Sequence, residues 1–210
     1  MLNDLLEIEK KHEKAAKTLF DYLYPDFRSK TIVAIGGEFG VGKAEIAYLL
    51  GNMFCKQGFN VKLLHLDNYY KVPPLQRLKW RKENGLDKIG SEEYDWDRIN
   101  QTINDYKENK KSFIPIVDLF TQRIGELSTD FKDIDLLIIE GLYAVCLQQA
   151  DLRVFIEQTY RDSWDRSLTS SKEKLDDFRV KVLEQEHIAV QALRNKANFF
   201  IDLKSSFFHL

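Results

Sequence analysis

A run of glycines that ends in a lysine lies between a short apolar segment and a helical one. The stretch is Gly36-Gly37-Glu38-Phe39-Gly40-Val41-Gly42-Lys43, and from Gly37 it follows the spacing G-x-x-x-x-G-K. Glycines let the backbone fold around an anion with its N–H groups pointing inward, and the following helix offers its positive end. A plain glycine-rich turn is the alternative. The preceding strand, the following helix and a lysine placed to reach the outer phosphates favour a phosphate-binding loop.

The residue after this lysine departs from the motif. Ala44 stands where a serine or threonine hydroxyl normally binds Mg²⁺. Mg²⁺ usually keeps several waters, so a water can fill the vacated place. By analogy with other supporting residues of metal sites, we expect metal use to be about 10–100-fold weaker rather than lost. Glu45 is a poor substitute, because it would bring a negative charge toward the phosphates.

Two carboxylates follow other apolar runs of the chain. Asp67 comes directly after residues 61–66, where it can take a proton from a substrate hydroxyl or help to hold a metal ion. Taken alone, Asp67-Asn68 suits an Asx turn equally well. Glu140 ends the run 136–140, where a carboxylate can bind Mg²⁺ beside the phosphates. A strand end that faces solvent is the alternative for Glu140.

Further polar residues lie in two other segments. Asp118, Gln122 and Arg123 follow residues 113–117 and suit either an acceptor site or an ordinary polar loop. Basic residues occur past residue 157, interleaved with acids: Arg161, Arg166, Lys172, Lys174 and Arg179. Such a pattern suits a solvated helix face, or a lid whose cations clamp the transferring phosphoryl group.

The elements that must position these residues alternate along the chain. Short apolar runs that suit buried strands cover residues 31–36, 61–66, 113–117, 136–140, 152–157 and 199–203. Apolar residues recur at helical spacing over residues 2–20, 46–54, 96–106 and 175–193. The alternation predicts a three-layer α/β fold with a mostly parallel sheet flanked by helices. Ligands bind beyond the carboxyl ends of such strands, so we expect the site after residues 36, 66, 117, 140 and 157.

Composition limits the class of protein. The chain has 210 residues, 44% of them hydrophobic, and a net charge of −2, so we expect one domain and no nucleic-acid partner. Cys55 and Cys146 have no disulfide or zinc spacing. The charged N-terminus and the short apolar runs predict a cytoplasmic protein without a membrane partner. His12 falls on the apolar stripe of the first helix, where we expect a packed or half-exposed histidine, and we assign it no role.

Several stretches together resemble the uridine kinase family of P-loop kinases, a group close to phosphoribulokinase and bacterial pantothenate kinase. The resemblance covers nearly the whole chain after residue 30 and is carried by the stretches IGGEFGVGK, LDNYYKVPP, EYDWDRI, IPIVDLF, LLIIEGLYAV and DLRVFIE. The loop motif is common among NTPases, and its combination with DNYYK and IIEG narrows the family. The resemblance implies the P-loop NTPase fold, with an N-terminal helical extension over 1–30, a nucleotide-binding core over 31–210 and a lid around 161–180.

The resemblance also implies an activity, namely ATP- or GTP-dependent phosphorylation of the 5′-hydroxyl of uridine or cytidine with Mg²⁺ in pyrimidine salvage. The donor nucleotide would contact Gly37, Gly40, Val41, Gly42, Lys43, Ala44 and Glu45. Asp67 would be the base, Lys43 and Arg166 would supply positive charge, and Asp67 and Glu140 would hold the metal. The acceptor would contact Tyr70, Asp95, Asp118, Gln122 and Arg123.

Three departures from the family pattern leave other hypotheses open. Besides Ala44, the chain has Val117 and Gln122 where the family commonly places a tyrosine and a histidine, and residues 169–172 lack its arginine-rich pattern. One alternative is a kinase that acts on another hydroxylated metabolite. A second alternative is a nucleotide-binding protein with weakened or lost catalysis. The oligomeric state, including a homo-oligomer, stays open.

Overall fold

The computed structural model describes residues 6–118, 123–162, 176–204 and 208–209. The helices, numbered in chain order, are α1 Lys10–Leu23, α2 Lys43–Lys56, α3 Pro74–Asn84, α4 Trp96–Lys107 and α5 Asp177–Gln191. The strands are β1 Thr31–Gly36, β2 Val61–His65, β3 Lys111–Asp118, β4 Arg123–Asp130, β5 Leu136–Glu140, β6 Leu152–Ile156, β7 Phe199–Ile201 and β8 Phe208–His209. No helix in these described ranges is long and apolar enough to cross a bilayer.

A mostly parallel sheet forms the centre of the molecule, as the alternating pattern predicts. Its strand order is β2-β5-β1-β6-β7-β8. Within the described part of this sheet, all neighbouring strands are parallel except the short β8, which runs antiparallel to β7. Because β5 lies between β2 and β1, segments that are distant in sequence end side by side at one edge. That edge is where ligands of such sheets bind.

The two faces of the sheet carry separate apolar clusters, because side chains alternate along each strand. On β1, Val33 and Ile35 pack with α1 and α2, whereas Ile32 and Ala34 pack in the cluster that contains α4. All four side chains are fully buried. The core therefore holds β1 from both faces and fixes the point at which the glycine-rich loop leaves it.

The run 113–117 does not join this sheet, so the expectation that its end lies at the sheet's carboxyl edge is wrong. β3 pairs instead with β4 in a separate antiparallel two-stranded sheet. Phe113 on β3 is 63% exposed, and most of β4 is exposed as well. A short apolar run predicts a strand but not its partner, and β4 was not predicted because it has little apolar content. The hairpin contacts the turn that follows β2, since the Val117 N–H donates to Asn68 Oδ1 at 3.2 Å.

Tyr106 on α4 joins the starts of two central strands. Its hydroxyl lies 3.0 Å from the Thr31 carbonyl oxygen and 2.9 Å from that of Asp135, and the side chain is fully buried. We expect Tyr106→Phe to lower the free energy of unfolding by about 0.5–1.5 kcal/mol, because it removes the hydroxyl that donates to these two carbonyl groups. Urea denaturation measures this loss. The control is Tyr48→Phe at a 41% exposed tyrosine, and an equal effect of both changes would contradict the expectation.

Candidate active site

The ends of three adjacent strands carry the predicted phosphate loop and both predicted carboxylates. Glu140, the last residue of β5, pairs in register with Ile35 of β1 on one side and His65 of β2 on the other. The glycine-rich loop begins directly after β1, and Asp67 follows β2 by two residues. The predicted proximity of these groups is thus confirmed at the level of the sheet. Their chemical roles remain predictions.

The glycine-rich loop adopts backbone angles that require glycine. The φ angles of Gly37, Gly40 and Gly42 are +149°, +74° and +95°. The helix α2 starts at Lys43, and no side chain caps it at Gly42. The N–H groups of its first turn therefore suit an anionic ligand. The Lys43 ammonium donates to the Glu38 carbonyl oxygen at 2.7 Å, on the loop itself.

The other loop residues flank this lysine. Val41 is buried, with 3% exposure, whereas Ala44 and Glu45 are partly buried in the first turn of α2. Glu45 Oε1 accepts the Glu7 backbone N–H at 3.4 Å, which joins the start of the chain to this turn. The carboxylate of Glu45 thus has a contact outside the loop; that it does not replace the missing hydroxyl stays a prediction.

His12 packs directly against the glycine-rich loop. Its side chain is fully buried, as expected for a packed histidine. A Cβ atom placed on Gly42 would lie 2.5 Å from His12 Nε2. The helix α1 therefore supports the phosphate loop from outside. Its apolar stripe predicted a packed helix but gave no indication of this partner.

Glu140 forms a close pair with His65. Its Oε1 atom lies 2.7 Å from His65 Nδ1, and its side chain is 12% exposed. Burial on its own would raise the pKa of Glu140. The hydrogen bond and charge of His65, together with the charge of Lys43, outweigh this effect and hold the pKa below its ordinary value. Glu140 is therefore ionised at neutral pH, as a metal ligand must be.

Asp67 accepts a hydrogen bond from a buried tyrosine. The Tyr94 hydroxyl donates to Asp67 Oδ1 at 3.2 Å. Burial, with smaller contributions from Tyr70 and Asp67, raises the pKa of Tyr94 well above its ordinary value, so this hydroxyl keeps its proton. One Asp67 oxygen is thus oriented by a fixed donor. Neighbouring Asp95 caps α4, since its Oδ1 accepts the Arg98 N–H at 3.1 Å.

Two side chains lie against the ring of Tyr70. The Tyr94 ring is tilted by 32° to it with 4.1 Å between ring centroids, and Arg77 Cζ lies 3.2 Å from the Tyr70 centroid. Tyr70 is 8% exposed. Little of this ring is therefore open to a stacking base. Within the described part of the chain, Arg77 Nε and Nη2 are buried and have no hydrogen-bond partner.

A buried ion network joins α3 to α5. Arg81 Nε and Nη2 each lie 2.7 Å from a carboxylate oxygen of Glu93, and its Nη1 lies 2.9 Å from Glu186 Oε1. Burial opposes the charge of Arg81, but the hydrogen bonds and charge of Glu93 and Glu186 raise its pKa above the ordinary value. Neither α3 nor this network was predicted, because single charged residues in the sequence do not indicate burial.

The remaining predicted residues are only partly described. Asp118 is partly buried and lies opposite the exposed Arg123 in the hairpin. Gln122, Arg166, Lys172 and Lys174 lie outside the described residues. Of the basic residues near the predicted lid, Arg161 pairs with Glu184, and Arg179 lies over the Phe39 ring with 5.3 Å between its Cζ and the ring centroid.

A magnesium ion at these strand ends would need only one or two ligands from the protein. Over the described residues, no group of three or more His, Cys, Asp or Glu side chains is placed to hold a metal. Mg²⁺ in phosphotransferases needs only one or two carboxylates, since phosphates and water fill the other positions. The ionised Glu140 and the oriented Asp67 suit this requirement.

Comparisons with known proteins show which protein family and which relatives this chain resembles. Residues 32–196 match the model of the phosphoribulokinase / uridine kinase family. A uridine kinase of Ureaplasma parvum is 30% identical over 134 residues, which cover 62% of this chain and 63% of that protein. The chain therefore spans less than two thirds of that relative. The bifunctional alpha-galactosidase/sucrose kinase of Mediterraneibacter gnavus is 29% identical over 78% of this chain and 19% of its own length.

The fold matches solved kinase structures as well. The structure of D-glycerate 3-kinase from Cryptococcus neoformans superposes with a TM-score of 0.59 and 13% identity, over 93% of this chain and 95% of that one. Phosphoribulokinase from Rhodobacter spheroides superposes with a TM-score of 0.58 and 13% identity, over 83% of this chain and 71% of that one. At such identities the likeness shows the fold alone.

The close packing of His12 against Gly42 can be tested by replacing this glycine with alanine. In both Gly42→Ala and Gly58→Ala an alanine must adopt a positive φ, which costs about 1–2 kcal/mol. Nothing lies within 4 Å of a Cβ on Gly58, whereas His12 obstructs the one on Gly42. We expect Gly42→Ala to cost a further 1–3 kcal/mol, roughly the effect of overpacking, in the free energy of unfolding. Urea denaturation measures both variants, and equal losses would refute the contact.

Proposed function

Because this chain belongs to the phosphoribulokinase / uridine kinase family, we propose that it transfers the terminal phosphoryl group of ATP or GTP to a hydroxyl of a small-molecule acceptor. The single observation that carries the proposal is the adjacency of the glycine-rich loop, Glu140 and Asp67 at neighbouring strand ends. Phosphoryl transfer needs positioning and charge neutralisation more than covalent help from the protein.

The donor would bind on the glycine-rich loop. The N–H groups at the start of α2 would hold its phosphates, and Lys43 would leave the Glu38 carbonyl to reach the outer ones. Asp67 and Glu140 would hold Mg²⁺, which neutralises phosphate charge when bound. The Ala44 methyl group offers no ligand, so we expect weakened metal use. Arg166, outside the described residues, stays a candidate for the clamp on the transferred group.

The acceptor hydroxyl would lie beside Asp67. The Tyr94 hydroxyl fixes one oxygen of this carboxylate, so the other is the candidate to accept the proton of the nucleophile. Uridine and cytidine are the first acceptors to test, through their 5′-hydroxyl, because relatives of similar sequence are uridine kinases. Tyr70, Asp95, Asp118, Gln122 and Arg123 remain the proposed acceptor contacts, and we place the protein in the cytoplasm.

An ADP-release assay with uridine, cytidine and no acceptor tests this function. We expect acceptor-dependent turnover that Asp67→Asn lowers by about 10²–10⁴-fold, the usual effect of removing a general base. We expect Ala44→Ser to lower the Mg²⁺ concentration needed for half-maximal rate by about 10–100-fold. Nucleotide binding without turnover on any acceptor would instead favour a protein that has lost catalysis. A normal Mg²⁺ requirement in the unchanged protein would contradict the role given to Ala44.

A second acceptor class is favoured by Arg77. This guanidinium lies over the Tyr70 ring and has buried donors without partners in the described chain. An unpaired buried donor costs free energy that a bound carboxylate or phosphate would recover. Because Tyr70 is buried against Arg77 and Tyr94, the site suits an acceptor that binds Arg77 better than one that stacks on tyrosine. The alternative acceptor is therefore a hydroxylated metabolite that carries an anionic group.

Acceptor screening separates the two classes. If Arg77 binds the acceptor, hydroxy acids or sugar phosphates should raise the melting temperature in the presence of ADP more than uridine or cytidine does. Arg77→Met should weaken binding of the anionic acceptor about tenfold or more, the loss expected from one charged hydrogen bond. Arg153→Met is the matched control, since Arg153 Nε on β6 is also buried without a described partner. A preference for uridine that survives Arg77→Met would reject the anionic class.

A further inference from the structure

Glu38 lies within the glycine-rich loop, yet its side chain points away from the solvent. The residue is 2% exposed. Its Oε2 accepts the Tyr160 backbone N–H at 2.8 Å, and its Oε1 lies 2.8 Å from His187 Nδ1 and 2.5 Å from Gln191 Nε2. Three donors thus surround one carboxylate. Two of them belong to α5, which is far from the loop in sequence.

The main chain of the same residue contacts the predicted catalytic lysine. The Glu38 carbonyl oxygen accepts the Lys43 ammonium at 2.7 Å. A continuous path therefore runs from His187 and Gln191 on α5, through the Glu38 side chain and carbonyl, to Lys43. Without a donor, the same residue thus fixes the loop through its side chain and holds Lys43 through its carbonyl.

A carboxylate is an unexpected choice at this place. The motif requires no particular side chain between its glycines, and a negative charge near a phosphate site opposes binding unless it is compensated. Burial of a lone carboxylate is also costly. Here the imidazole, the amide and the backbone N–H supply that compensation. The arrangement thus gives the loop a fixed attachment between Gly37 and Gly40, where glycine leaves the chain easily deformed.

We propose that Glu38 is a positioning residue for the nucleotide donor: it attaches the glycine-rich loop to α5 and Tyr160 and thereby holds the loop backbone in its phosphate-binding conformation. The inference rests on the proposed function only in that the loop binds a nucleotide. It assigns to α5 a part in donor binding that the loop motif does not contain. Glu38 itself touches neither the donor nor the reacting atoms.

A double-mutant cycle in the full chain tests this role. ADP affinity is measured by calorimetry, which needs no acceptor, for Glu38→Ala, His187→Ala and the double variant. We expect each single change to weaken ADP binding about tenfold. The double variant should lose little more than either single one, because both changes break the same attachment. Glu38→Gln keeps an acceptor oxygen for the Tyr160 N–H, so its loss should be smaller than that of Glu38→Ala.

A matched control separates positioning from general stability. Glu184 lies on the same helix and accepts the Tyr160 hydroxyl at 2.7 Å, without contact to the loop in the described structure. Glu184→Gln should leave ADP affinity unchanged. Tyr106→Phe, which removes a buried hydrogen bond at the start of β1, should lower the melting temperature and also leave ADP affinity unchanged. Additive losses in the double variant, or unchanged ADP affinity in a folded Glu38→Ala protein, would overturn the proposal.

These measurements distinguish failure of the proposed kinase function from failure of the positioning role of Glu38. If the cycle shows coupling but no acceptor is phosphorylated, the kinase function fails and the positioning role stands. If the unchanged protein phosphorylates an acceptor and Glu38→Ala leaves ADP affinity unaltered, the kinase function stands and the positioning role fails. If the unchanged protein binds no ADP, both are overturned.

Discussion

A loop that presents backbone N–H groups to phosphate must hold an open, left-handed conformation that it cannot stabilise by itself. Its glycines permit the required φ angles but lose much conformational freedom on folding. The surrounding structure supplies the constraint. β1 is buried on both faces before the loop, His12 packs behind Gly42, and α5 holds Glu38. The proposed phosphate site therefore depends on two distant segments, α1 and α5, and on the preceding strand, as well as on the motif.

The acceptor side depends on a different interaction. Buried Arg81 connects α3 to Glu93 and to α5, so the segment that carries Tyr70, Arg77 and Asp95 is attached to the same helix as Glu38. Removing one member of such a network would leave an uncompensated buried charge, which typically costs 3–5 kcal/mol. The helix α5 thus contacts the glycine-rich loop through His187 and contributes Glu186 to the network beside the proposed acceptor segment. Both halves of the proposed site have a common support.

The sequence predicted the sheet and its active edge because both follow from local patterns. Apolar runs mark buried strands, and acids or glycines at their ends mark the edge, so Gly36, Asp67 and Glu140 could be placed together. The partner of β3 could not be predicted, because the apolar run of β3 suits a separate hairpin as well as a strand of the main sheet. His12, Glu38 and Arg81 lacked any local signal. Their significance arises from contacts across long sequence separations, which a single sequence does not reveal.

The substitution at Ala44 separates two properties that the motif normally combines. The contacts that shape the loop involve Gly42, Glu38 and the buried β1, and none of them uses the side chain at position 44. The missing hydroxyl is therefore expected to leave the shape of the loop intact and to remove only a metal ligand. Glu140, kept ionised by His65 and Lys43, still lies at the neighbouring strand end. In the proposed function, nucleotide binding and phosphoryl transfer would thus depend on different residues, so one could weaken without the other.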